Sequence, residues 1–144
     1  MQRFITFSAA VLLMGSSVAA VYADVADPTV KAWQDGMKEL RQSSNILGDM
    51  AKGKSSFDAE IAASAASALK EEAKKVAPLF EAKATDPESE AKSSIWDNWE
   101  AFTSHATDLE VASAQMDTSS LAGVREGMQA VGAACGGCHK QFKE

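Results

Sequence analysis

Cys135-Gly136-Gly137-Cys138-His139, close to the C-terminal end of the 144-residue chain, is the stretch whose reading decides the fold. Two thiols three positions apart on a helix share one face, close enough to add to the two vinyl groups of a single haem. The adjoining His139 then offers an imidazole to the iron from the same side. This is C-x-x-C-H, the pattern of c-type haem attachment. Cys135 and Cys138 are the only cysteines in the chain, so at most one haem is bound this way. Two other uses of the residues fit less well. A redox dithiol normally sits at a helix N-terminus, where the dipole lowers the thiol pKa, whereas this pair falls near a helix C-terminus. A structural zinc would need His105 beside Cys135, Cys138 and His139, and His139 is poorly placed to complete a tetrahedron next to Cys138.

Working outward, the motif lies on an apolar stripe of Leu121, Val124, Met128, Val131, Cys135, Cys138 and Phe142, in steps of three and four residues. Both cysteines thus occupy the core seam of a helix beginning at Leu121 after the caps of 117–120. A haem bonded there would lie inside a bundle, along one edge. Lys140 and Lys143 in the last turn favour the helix dipole.

The partner helices are legible by the same periodicity. Asp27-Pro28 is an N-cap followed by proline at the first helical position. Val30, Trp33, Met37, Leu40, Ser44, Leu47 and Ala51 form the stripe that follows, and Gly53 reads as its stop. Asp58 caps a second, alanine-rich helix whose stripe opens at Ile61, continues through Ala65, Leu69, Ala73 and Val76, and ends at Pro78. From Pro78 to Lys92 the periodicity fails, and Thr85 to Glu90 read as a surface connection. Ser93 or Ser94 then caps a third helix with the stripe Ile95, Trp99, Phe102, Ala106, Leu109, Ser113 and Met116. Its aromatic residues Trp96, Trp99 and Phe102 either line a flat pocket or fill the core. Four amphipathic helices with no strand pattern imply an all-α fold, an antiparallel up-down-up-down four-helix bundle holding one covalent haem.

Residues 1–23 read as a secretory signal peptide: Arg3 gives a positive start, Phe4 to Val18 is largely apolar, and Val21-Tyr22-Ala23 supplies small residues for cleavage. Residues 24–144 then form the single domain. The full chain has a net charge of −6, and cleavage removes only Arg3 among charged residues, leaving 13 basic against 20 acidic, or −7. Such acidity argues against nucleic acid and, after signal cleavage, against membrane as partners. It suits a redox partner protein with a basic docking face.

Together these residues resemble a class II cytochrome c, the family of cytochrome c′ and its low-spin, methionine-ligated relatives. The likeness rests on Cys135 to Lys143 and on Ile95-Trp96, Trp99 and Phe102, and it spans the mature chain. It implies haem c as the cofactor, Cys135 and Cys138 as thioether attachments, and His139 as proximal axial ligand. Met37 falls where the family places the residue over the distal face. Trp33, Trp99, Phe102 and Lys143 become haem-pocket residues, although many relatives carry arginine near a propionate where this chain has Trp33. The resemblance also implies a homodimer through the first two helices.

Function follows as periplasmic electron transfer without substrate chemistry. The alternative is a five-coordinate cytochrome c′ binding nitric oxide or carbon monoxide. A peroxidase would want polar distal groups, and the first-helix stripe near Met37 offers only Trp33 and Leu40. His105 lies one position off the third-helix stripe, as a rim residue or as a second histidine ligand. Bundle geometry favours Met37 instead. It is nine residues beyond Pro28, a rise of about 14 Å, while His139 lies about 6 Å before Lys143, an offset that a haem can bridge. Met50 and Met116 sit at far ends of their helices and Met128 lies on the helix of His139. A Met37 that only fills the pocket, without coordination, is the remaining alternative.

Overall fold

The structure, a computed structural model, describes residues 24–144. The signal peptide expected over residues 1–23 therefore lies outside the described residues. Six helices follow in order: α1 (Pro28–Ala51), α2 (Ala59–Ala73), the single turns α3 (Val76–Leu79) and α4 (Ser94–Asp97), α5 (Trp99–Ala114) and α6 (Leu121–Phe142). The four long ones form the antiparallel up-down-up-down bundle. α1 packs on α2 and α6, and α5 packs on α2 and α6, which closes the ring.

The ends of α1 arise from local chemistry. The Asp27 carboxylate accepts from the N–H groups of Thr29 and Val30 at 2.7 and 3.2 Å, satisfying donors that the first turn leaves free. Beyond Lys52 the chain turns out of the helix at Gly53, whose φ of +72° is open to glycine at little cost. Asp58 caps α2 and Ser120 caps α6 in the same manner.

Three expectations need correction. Ile61 does not open the α2 stripe: it is 51% exposed, and Ala62 at 0% holds the buried position. One residue is a rotation of about 100°, so the inward face is Ala62, Ala65, Ala66, Leu69 and Ala73, nearly all small side chains that bring α2 close to its neighbours. Nor does Pro78 end α2. The helix stops at Ala73, and Pro78 sits in the single turn α3, where its missing N–H costs nothing.

The third helix is broken. Asn98, at φ −130° and ψ 50°, separates α4 from α5, and neither Ser93 nor Ser94 provides a side-chain cap. The break lets Trp96 and Trp99 turn in different directions. Trp96 Nε1 donates to Phe80 O at 2.9 Å, while Trp99 stacks on Phe102 at 5.4 Å.

Candidate functional site

α6 carries the motif through its last two turns. Cys135 and Cys138 are free thiols, half-buried and packed against the core, whereas His139 is exposed. Burial raises both thiol pKa values, and burial together with the neighbouring Cys135 pushes Cys138 up to about 11. Neutral thiols of this kind make a poor redox dithiol. Among the described residues no group of three or more His, Cys, Asp and Glu side chains is arranged to hold a metal ion.

The His139 imidazole is held below its ordinary value of 6.5, first by lost hydration, then by the cations Lys143 and Arg41, with Glu90 opposing. It therefore presents a neutral nitrogen near pH 7, the form that ligates iron. The donor set fits a covalently held haem: two neutral thiols on one helical face and a neutral imidazole beside them. The local space fits as well. A Cβ added at Gly132 or Gly136 would meet nothing within 4 Å. Ser94 Oγ is buried without a hydrogen-bond partner.

Two contacts at the far end set the register of α1 against α6. Arg125 Nε donates to Ala51 O at 2.9 Å, and Met128 Cε lies 3.9 Å from where a Cβ on Gly48 would stand. Each step back along α1 is thus matched by a step forward along α6. Met37 stands eleven residues before Gly48 on α1, and His139 stands eleven residues after Met128 on α6. Met37 is half-buried at the core margin. Met50 is buried at the far end of α1, and Met116 packs where a side chain on Gly127 would stand.

The aromatic residues form one continuous cluster at this end of the bundle. Trp33 stacks on Phe80 at 4.8 Å and tilts against Trp96 at 5.5 Å. Phe80 meets Phe102 at 5.2 Å, and Phe102 meets Trp99 and Phe142 at 5.4 Å each. Trp33 and Phe102 are each 3% exposed, and Trp33 Nε1 is committed to Leu79 O. Trp99 is half-buried. Lys143 Nζ is paired with Glu90 at 2.8 Å. His105 lies edge-on to Phe142 with its ring at the back of the motif, 3.4 Å from where a Cβ on Gly137 would stand.

Sequence reasoning missed three contributors. Phe80 falls where the periodicity fails, and only its place after Pro78-Leu79 hinted at burial. Asp86, read as part of a surface connection, is 7% exposed and bonded to three backbone N–H groups. Arg41 read as part of a solvated face, yet its charge reaches His139.

Comparison with known proteins agrees with the four-helix fold. The family model described as Cytochrome C' matches residues 28–143. Cytochrome c-556 of Agrobacterium tumefaciens (strain apple 185) is 36% identical over 112 residues, covering 74% of this chain and 87% of that protein. Cytochrome c-554 of Cereibacter sphaeroides is 36% identical over 105 residues, covering 68% and 79%. The crystal structure of cytochrome c′ from Rubrivivax gelatinosus superposes with a TM-score of 0.73 at 27% identity, covering 81% of this chain and 94% of that one. The cofactor is one covalent haem c, and the protein is a haem c cytochrome, not an enzyme. With its bundle, its paired thiols and its adjoining histidine, the chain belongs to the cytochrome c′ family.

Proposed function

We propose that this protein is a periplasmic electron carrier whose haem iron is held by His139 on one side and Met37 on the other. The observation that supports the reading is the α1/α6 register at the far end, where Gly48 faces Met128: counted eleven residues along each helix, it pairs Met37 with His139. When bound, haem c supplies a one-electron couple, and methionine–histidine ligation raises its potential. The chain's own residues do the rest. Cys135 and Cys138 anchor the cofactor to α6, and the Trp33, Phe102 and Trp99 rings exclude water from one side. Lys143 and Arg41 add positive charge close to His139.

Export after removal of residues 1–23 belongs to the same reading, with residues 24–144 as the mature domain. No helix among the described residues is long and apolar enough to cross a membrane. A redox partner with a basic docking face suits the acidic chain. Pairing of two copies through α1 and α2 is supported by the exposed Ile46 and Ile61 on those helices.

The test is Met37→Ala. It should convert a low-spin ferrous protein that binds carbon monoxide slowly into a high-spin one that binds it quickly. If the variant and the parent bind carbon monoxide equally fast, Met37 only fills the pocket and a five-coordinate gas-binding protein replaces the carrier.

A further inference from the structure

Residues 86–92 cross the end of the bundle at which α1 begins and α6 ends, and they are bonded to both helices. On the α1 side, Asp86 Oδ2 accepts from the N–H groups of Ala26 and Asp27 at 2.9 Å each, and Oδ1 accepts from Glu88 N–H at 2.9 Å. Asp27 is the α1 cap, so Asp86 grips the backbone of the residue that starts the helix. Gln34 Nε2 adds a second tie to Glu88 O at 2.9 Å. On the α6 side, Lys92 N–H donates to Phe142 O at 3.0 Å, Glu144 N–H donates to Glu90 O at 2.9 Å, and Lys143 Nζ pairs with Glu90 at 2.8 Å.

Asp86 forms no salt bridge among the described residues, so this buried carboxylate is satisfied by backbone amides. A group that is costly to bury is here spent on joining two segments about sixty residues apart in sequence. The contrast with the far end of the same helix pair is informative. There α1 and α6 touch directly, through Arg125 and Ala51 and through Met128 beside Gly48. At the near end, Trp33 of α1 reaches Phe142 of α6 through Phe80 and Phe102, and the 86–92 segment adds hydrogen bonds to both helices.

We propose that Asp86 is a positioning residue for the sixth iron ligand: through the 86–92 strap it holds the start of α1 to the end of α6 and keeps Met37 level with His139. The inference rests on the Met37 ligation proposed above. Cutting the strap lets the start of α1 move outward and raises the fraction of molecules with Met37 detached. Carbon monoxide reaches only that fraction.

The experiment mixes ferrous holoprotein with carbon monoxide and follows the binding rate beside the resting spectrum. Asp86→Ala should remain low-spin at rest and bind about tenfold faster, in proportion to the detached fraction. Gln34→Ala cuts the second tie from an exposed position and should accelerate binding in the same direction by a smaller factor. It decides the matter if Asp86→Ala does not assemble with haem. Arg125→Ala cuts the far-end link between the same helices and should leave the rate unchanged. Wild-type rates in the strap variants, or equal acceleration in Arg125→Ala, would overturn the strap alone while leaving Met37 ligation standing. A high-spin parent protein would overturn the ligation, and the role of Asp86 with it.

Discussion

Phe102→Ala should be among the most damaging single substitutions in this protein. Its ring touches three other aromatic rings, those of Phe80, Trp99 and Phe142, at 5.2 to 5.4 Å, more than any other ring in the cluster. At 3% exposure it has little room to be replaced by water. Truncating a buried phenylalanine costs about 3–5 kcal/mol, and three ring contacts place this one near the top of that range. With a urea slope of about 1–3 kcal/mol per molar, a loss of about 5 kcal/mol lowers the unfolding midpoint by about 2–5 M. Phe102→Leu keeps most of the volume and should lose about 1–2 kcal/mol. The assay is urea unfolding of the holoprotein, followed in parallel by helical circular dichroism and by the haem absorbance. A loss below about 1.5 kcal/mol for Phe102→Ala would refute the claim that these rings form one cooperative core.

Gly123→Ala should destabilise despite alanine's helix preference, by about 1–3 kcal/mol in thermal unfolding, because the new Cβ would stand 2.5 Å from Asp117 O. The double substitution Cys135→Ala, Cys138→Ala should give haem-free protein with helical circular dichroism but no sharp cooperative transition, since both side chains lie against the core seam. A sharp native-like transition in that variant would contradict the dependence of packing on haem. Backbone N–H groups of Asp27, Glu88 and Ala26 hold the Asp86 carboxyl below its ordinary 3.8, against the opposing effect of burial. A depressed folded value adds stability that is complete above pH 3.8 and is lost as pH falls through the lower folded value. Asp86→Asn should therefore show a constant deficit near neutral pH that closes in strong acid. A deficit that persists unchanged through the acid range would exclude the carboxylate as its source.

The first and last long helices were readable because the signals that define them are local. Asp27-Pro28, the stripe from Val30 to Ala51 and Gly53 each act within one or two turns, and α1 follows them from cap to stop. Ser120 and the stripe bearing Cys135 and Cys138 did the same for α6. The middle of the chain was less legible because its outcomes are decided at a distance. Ile61 and Ala62 are both apolar, and only the packing of α2 against its neighbours selects the smaller one for the interior. The break at Asn98 carries no proline or glycine. It accompanies Trp96 turning to donate to Phe80 O, sixteen residues away. Asp86 beside Pro87 reads as an ordinary turn, since its backbone partners at Ala26 and Asp27 are about sixty residues distant. For the site, the motif by itself names the residues proposed as anchors and as proximal imidazole. The aromatic Phe80 and the cation Arg41 needed the folded chain.

The optical and magnetic spectrum of the oxidised holoprotein at neutral pH, recorded without added ligand, tests the central claim most directly. Ligation by Met37 opposite His139 requires a low-spin signal and a sulfur-to-iron charge-transfer band, both of which vanish in Met37→Ala. A high-spin signal without that band in the unsubstituted protein would contradict the account and leave a five-coordinate iron open to gas.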